Sequence, residues 1–191
     1  MKYNYLMVFL FFGVFTLAAQ ENYEREHRIK KSEFPTTAYT LIQEKVSETK
    51  KLKFYKEIDS AKTSYIAKCK KGRLWYDLQF DNDGNLQNVE VTIQSFDMPN
   101  ETYDNIIAHL DTNYIQYKIQ KIQQQYVTNG DIEKTLKNAF QNLMLPAVNY
   151  KLFIAVKKEK EKQKFEILFS ADGIFKHRRL ALPPNYDHVL Y

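Results

Sequence analysis

Residues 74–86 read LWYDLQFDNDGNL, and this stretch decides the fold. In residues 74–80 the even-numbered positions are apolar, while the odd-numbered positions hold Trp75 and two polar residues. This period of two predicts a half-buried antiparallel strand, because successive side chains of a strand point to opposite faces. Asp83 and Gly84 follow at once and suit a tight hairpin, since glycine reaches positive φ without steric cost. The chain should then return as a second strand over 86–93.

A helix and two further strands are predicted before this hairpin. Apolar residues over 34–46 recur at the spacings of an amphipathic helix, with Ser32 as a plausible cap and Pro35 in the first turn. Short runs over 52–58 and 64–69 have the composition of strands. The first half of the chain is therefore predicted as one helix followed by a meander of four strands.

The second half repeats this order. Residues of a second predicted helix match the first helix at a constant offset of 64, namely Pro99, Tyr103, Ile106 and Leu110. Residues of a second predicted hairpin match the first hairpin at a constant offset of 89, namely Phe169, Asp172 and Gly173. The difference between the offsets predicts an insertion over about 126–150. The insertion contains a short amphipathic helix that begins near Ile132, is capped by Asp131 and ends before Pro146.

We therefore predict an α+β fold of two repeats, each a helix packed on a four-stranded antiparallel meander, the second repeat with a helical insertion. The predicted divisions are a signal peptide over 1–20, a first unit over 21–96, a second unit over 97–183 and a tail over 184–191. Each unit is small for a core of its own, so the two should pack together, and pairing of their edge strands is one arrangement. A single long domain with coincidental similarity is the alternative.

The first twenty residues have the three-part pattern of a secretory signal peptide. Lys2 is followed by an uncharged, mostly apolar run over 5–17 and then by Ala18 and Ala19. The run is shorter than the about 20 residues of a membrane span, although an uncleaved anchor is the alternative. Cleavage near residues 18–20 predicts a soluble periplasmic or secreted protein without a membrane span. Within it, Asp59-Ser60-Ala61 resembles an O-glycan acceptor of some Gram-negative envelope proteins.

The charge of the chain argues against a nucleic-acid partner. The 191 residues contain 28 Lys and Arg against 23 Asp and Glu, which gives a formal net charge of +5. The basic residues form several short, separate runs, one of them mixed with acidic residues. In an exported protein such runs are typical of solvated hairpin ends.

No set of side chains forms a recognisable catalytic or metal site. A single cysteine, Cys69, excludes an internal disulfide and a cysteine zinc site. It is also the one candidate thiol nucleophile, but a small half-buried residue on a strand is the favoured interpretation. The four histidines lack metal-ligand spacing, and Asp81–Asn85 fits a hairpin turn better than a calcium loop. Since there is no Gly-x-Ser-x-Gly or glycine-rich loop either, we expect no enzyme, no cofactor and no bound metal.

The strand that ends in Phe80-Asp81-Asn82-Asp83-Gly84-Asn85-Leu86, preceded by a proline, a helix and further strands, resembles the PepSY-like family. These small exported bacterial proteins are similar to the PepSY module and to a β-lactamase inhibitor protein. The resemblance covers about residues 24–182, twice over, and its second copy departs by the insertion. It implies a noncatalytic binding or inhibitory module. No functional residue carries over, because the matched positions are core and turn positions.

Trp75 is the first candidate for a binding residue. It should point away from the helix, close to Tyr55 or Ile66, and aromatic residues on an open sheet face can anchor a partner. Alternatively, the other unit or the segment 21–31 covers these side chains.

Three functions remain open on the sequence. The leading one is a noncatalytic exported module that binds a protein or peptide of the cell envelope, with inhibition of that partner as one version. The alternative is a carrier of small apolar ligands, which needs a closed cavity between helix and sheet. The third is an unrecognised hydrolase, which needs Cys69 or a serine next to a histidine.

Overall fold

A computed structural model describes residues 25–59, 62–158 and 161–181. The predicted signal peptide over 1–20, the predicted tail over 184–191 and Ser60-Ala61 of the candidate glycan acceptor lie outside these ranges.

The described chain forms one antiparallel sheet whose strand order is the order of the sequence. The nine strands are β1 Arg25–Ile29, β2 Lys50–Asp59, β3 Lys62–Lys71, β4 Leu74–Phe80, β5 Leu86–Ile93, β6 Tyr117–Val127, β7 Asn149–Lys158, β8 Glu161–Ser170 and β9 Phe175–Leu180. The three α-helices are α1 Thr36–Ser47, α2 Asn100–Asn113 and α3 Ile132–Phe140. Within the described ranges, no helix has the length and apolar character to cross a membrane.

The prediction of two helix-on-four-strand repeats is wrong, because the sheet continues through the predicted boundary between them. β5 pairs with β6 from Asn88–Val127 to Ile93–Ile122. This pairing satisfies the backbone groups of two strands that would otherwise be exposed edges. The described part of the segment 21–31 also belongs to the sheet, since residues 25–29 form the edge strand β1 and pair with β2. The molecule is therefore a sheet-dominated fold with one continuous core.

All three helices pack on the same face of the sheet. In α1, Tyr39 lies 6.1 Å from Phe54 between ring centroids, and in α3 Phe140 stacks on Tyr76 at 4.8 Å. In α2, His109 contacts Phe169 of β8 at 5.4 Å. The helices thus cover β2–β4, the middle of the sheet and β8–β9, and leave the opposite face without a helical layer.

The core under the helices follows from the alternation in the strands. Leu78 pairs with Val89 on one side and Ala67 on the other, and all three are fully buried. Leu152 and Ile167 continue the buried layer in β7 and β8. Each fully buried large apolar side chain contributes about 1.5–3 kcal/mol, so this layer holds the sheet and the helices together.

The predicted helix of the insertion is confirmed. Asp131 caps α3, because its carboxylate accepts a hydrogen bond from the backbone N–H of Lys134 at 2.9 Å. The helix packs on β5 and β6 through Leu136 and Ala139, both fully buried. It therefore closes the apolar surface over the pair of strands that joins the two halves. By contrast, Ser32 caps no α-helix and lies in a short 3-10 turn before α1.

Helices α1 and α2 each begin against a glycine turn of the sheet. In the β4–β5 turn, Gly84 has a φ of +84°, and the Thr37 hydroxyl donates to the carbonyl oxygen of Asp83 at 3.3 Å. In the β8–β9 turn, Gly173 has a φ of +78°, and the Thr102 hydroxyl donates to the carbonyl oxygen of Ala171 at 2.7 Å. A side chain at either glycine would collide with the helix, so these turns set how closely the helices approach.

Candidate functional site: the open face of the sheet

We call the sheet face opposite the helices the open face. Its members are identified by cross-strand pairs, because directly opposed residues of an antiparallel sheet share a face. One row across the middle contains Lys70, Trp75, Thr92, Gln123, Lys151, Leu168 and His177. The open face is predominantly polar, unlike the apolar face under the helices.

Trp75 lies on the open face, as the alternation of β4 predicts, and 37% of its surface is exposed. Tyr55 and Ile66 lie on the same face and pair with each other, but they are only 7% and 4% exposed. They also sit at another level, since Ile66 pairs with Gln79, four residues along β4 from Trp75. The structure therefore does not bring the three predicted residues together, and Trp75 alone is open to a partner.

The described part of the segment 21–31 does not lie across Trp75. Its described residues 25–29 form β1 at the edge of the sheet, where Arg28 pairs with Tyr55. Tyr55 is shielded by its own neighbours on the face, since the Nζ atom of Lys68 lies 4.9 Å above its ring.

A network of buried charges occupies the centre of the open face. Lys151 forms an ion pair with Glu90 and lies 3.7 Å from Glu166, which also accepts a hydrogen bond from Arg179 at 2.9 Å. Burial disfavours the charged form of Lys151, but the two carboxylates outweigh it and raise the pKa of Lys151. Burial likewise disfavours the charged form of Glu166, but Lys151 and Arg179 hold the pKa of Glu166 below its usual range.

Amide side chains extend this network across the sheet. Gln123 donates to Asp77 at 3.3 Å, Gln125 donates to Glu90 at 3.2 Å, and Asn149 donates to the side-chain oxygen of Gln125 at 3.1 Å. These bonds fix the orientation of side chains that would otherwise move freely on a solvent face. The pattern of a single strand does not predict these bonds, and the available signal in the sequence is the glutamine run at 123–125.

Lysines lie against the aromatic rings of the open face. The Nζ atoms of Lys51 and Lys70 lie 5.5 Å and 5.7 Å from the ring centroid of Trp75. Lys121 lies 4.1 Å from the ring centroid of Phe153 in the neighbouring strand β7. Such distances allow cation–π attraction, which is worth about 0.5–1 kcal/mol at exposed sites.

Cys69 is on the helix face, fully buried, and is a poor candidate nucleophile. Burial raises the pKa of its thiol to about 11, although a hydrogen bond with Thr49 partly opposes this. The thiolate, which is the reactive form, is therefore scarce at neutral pH.

We expect the folded protein to react with the thiol reagent DTNB at least about a hundredfold more slowly than the unfolded chain. A rise of two pKa units alone lowers the thiolate fraction by about this factor, and burial excludes the reagent further. The measurement is the rate of thionitrobenzoate release at pH 7.5 with and without 8 M urea. Equal rates would return Cys69 to the list of candidate nucleophiles.

The described residues contain no group of three or more His, Cys, Asp or Glu side chains that could hold a metal ion. His109 stacks on Phe175 at 4.8 Å between ring centroids. In the turn expected to resemble a calcium loop only weakly, Asp81 accepts hydrogen bonds from the backbone N–H groups of Asp83 and Asn85 at 3.0 and 2.8 Å. The carboxylate of Asp81 therefore caps the hairpin.

Two grooves lie at the helix side, next to the loop between α3 and β7. One has a volume of about 390 Å³ and is lined by Thr102, Met144 and Tyr150 among others. The other, about 460 Å³, is lined by Asp131, Lys134 and further loop residues. Both are open to solvent, so neither is the closed apolar cavity that the ligand-carrier alternative requires.

No family model matches the chain, and no curated protein matches it. Its fold is similar to that of a DUF2874-family protein from Bacteroides ovatus, with 9% identity, a TM-score of 0.52 and coverage of 77% of this chain and 87% of that one. A BLIP-like protein from Bacteroides fragilis is 13% identical, with a TM-score of 0.51 and coverage of 81% of this chain and 92% of that one. A protein from Bacteroides eggerthii, provisionally described as periplasmic, is 12% identical, with a TM-score of 0.51 and coverage of 77% of this chain and 88% of that one.

At these identities the likeness concerns the fold alone. It is consistent with the expected similarity in fold to a β-lactamase inhibitor protein. The narrower PepSY-like resemblance stays a prediction.

Proposed function

We propose that this protein is a noncatalytic module of the cell envelope that binds a protein or peptide on its open face. In this proposal it acts by blocking that partner. The observation that carries the proposal is a broad sheet face without a helical layer, on which Trp75 is exposed beside polar side chains fixed by hydrogen bonds and ion pairs. A rigid polar surface around an exposed aromatic anchor is typical of protein interfaces.

Location in the periplasm is part of the proposal. The pattern over residues 1–20 supports export, and one protein of similar fold is provisionally described as periplasmic. The BLIP-like description of another supports blocking of a partner as the mode of action.

The test is capture of a partner from an envelope extract by the immobilised mature chain, followed by measurement of the affinity with that partner purified. We expect Trp75→Ala to weaken binding at least about tenfold, since a central aromatic anchor contributes a large share of interface energy. Met144→Ala is the matched control, because Met144 is 53% exposed but lines a groove on the helix side.

Equal binding by the wild type and Trp75→Ala would contradict the open face as the binding surface. Stabilisation by small apolar molecules, with no protein captured, would instead favour the ligand carrier.

A further inference from the structure

Two groups of cations on the open face differ in their partners. Those of the first group have carboxylate partners within the sheet: Lys68 lies 2.7 Å from Glu26, and Lys151 pairs with Glu90. Arg179 pairs with Glu166. These charges are neutralised before any partner arrives.

The second group consists of Lys51, Lys70 and Lys121, which we call the lysine cluster. Among the described residues, none of the three forms an ion pair with a carboxylate, and each contacts an aromatic ring instead. Lys51 and Lys70 approach Trp75 from two neighbouring segments of the chain. The exposed anchor is therefore bordered by positive charge that the protein itself leaves uncompensated.

The backbone at Lys51 is specialised. The register of β2 against β3 shifts between Lys50 and Lys53, and Lys51 has a φ of +58°. The left-handed conformation is unfavourable for a residue with a side chain, and bulges of this kind redirect side chains. Here the bulge accompanies the approach of an exposed ammonium group to Trp75.

Lys121 is partly withdrawn from water. It is half-buried beside Phe153, and burial lowers its pKa despite the fields of Asp77 and Glu90. The desolvation cost of such a cation is not offset by an ion pair within the protein. A carboxylate of a partner therefore gains more binding free energy at this ammonium group than at a fully hydrated lysine.

The spacing of the cluster favours an extended anionic segment over a single small anion. Trp75 and Gln123 share a row two strand spacings apart, which is about 10 Å, and Lys121 lies two residues along β6 from Gln123. Carboxylates at alternate positions of an extended peptide are about 7 Å apart, so two or three could meet the cluster together.

We infer that the partner presents a carboxylate-rich peptide segment to the lysine cluster, beside Trp75. This inference rests on the proposed function and names the chemistry of the partner. The ammonium groups of Lys51, Lys70 and Lys121 receive the carboxylates, and the ring of Trp75 packs on the adjoining backbone or side chains of the segment.

The test uses poly-L-glutamate as the probe and the fluorescence of Trp75, which is the single tryptophan of the chain. Titration at low ionic strength should shift or quench this fluorescence. The double variant Lys51→Glu/Lys70→Glu should raise the half-saturating concentration at least about tenfold. The matched control is Lys134→Glu/Lys137→Glu, which changes net charge equally on exposed positions of α3, on the helix side. It should change the concentration less than about twofold.

Circular dichroism confirms that the variants are folded. No response of Trp75 to poly-L-glutamate, or equal loss in both double variants, overturns the inference. A response to phosphatidylglycerol vesicles but not to poly-L-glutamate also overturns it, in favour of a lipid surface. If Trp75→Ala loses an envelope partner that Lys51→Glu/Lys70→Glu still binds fully, the proposed function stands and this inference fails.

Discussion

Replacing Gly173 by alanine is expected to lower the free energy of unfolding by about 3 kcal/mol. Gly173 has a φ of +78°, a conformation that costs an alanine about 1–2 kcal/mol. An added Cβ would also lie 2.5 Å from the carbonyl oxygen of Thr102 and 2.9 Å from the Cβ of Asn105. Because a backbone atom of α2 is involved, the helix must move away from the sheet to relieve the contact. Urea denaturation followed by circular dichroism measures the effect.

Gly130→Ala is the matched control for this prediction. Gly130 also has a positive φ, +89°, but an added Cβ would meet nothing within 4 Å. We expect a loss of only about 1–2 kcal/mol there, from the backbone conformation alone. Equal losses at the two glycines would show that the close approach of α2 to the β8–β9 turn contributes nothing to stability.

Replacing Lys151 by methionine is expected to lower the free energy of unfolding by about 3–5 kcal/mol. Methionine fills much of the same space, so the loss reports on charge. Without Lys151, the buried carboxylate of Glu90 loses its ion pair, whereas Glu166 keeps Arg179. An uncompensated buried charge is more costly than the absence of the whole pair.

The double variant Lys151→Met/Glu90→Gln separates charge from packing. It removes both partners, so we expect it to recover most of the stability lost in the single variant, as measured by urea denaturation of all three proteins. A single variant within about 1 kcal/mol of the wild type, or a double variant no better than the single one, would contradict the role assigned to this ion pair.

The local elements of the fold were predictable from the sequence. The alternation over 74–80 and the Asp83-Gly84 pair identify β4, its hairpin and the return strand β5. The helical spacing after Asp131 likewise identifies α3. In each case the signal lies within about a dozen residues, where side-chain periodicity and turn chemistry act directly.

The continuity of the sheet was not predictable in the same way. Whether β5 pairs with β6 depends on two strand edges that are separated in sequence by α2. The residue pattern of a strand shows which face is buried but does not identify the strand with which it pairs. β1 was missed because Ile29 is the one aliphatic residue among its five, as is typical of a charged edge strand.

The candidate site was predictable only in part. The alternation of β4 places Trp75 on the open face, and this is confirmed. It cannot show that Tyr55 and Ile66 are buried on that face, because their shielding comes from side chains of adjacent strands. The burial of Glu90 and Lys151 has the same origin, since a charged residue in a strand predicts a solvent face when it is considered alone.

The agreement between strand order and chain order has a consequence for how the molecule assembles. In the described sheet, each strand after β1 pairs with the strand that precedes it in sequence. The pairing partner of each new strand is therefore already synthesised when that strand forms. Pairings between near neighbours in sequence have a low entropic cost of closure and form quickly. In a chain that is synthesised from its N-terminus, the sheet can therefore grow at one margin, and the order of synthesis sets the order of assembly.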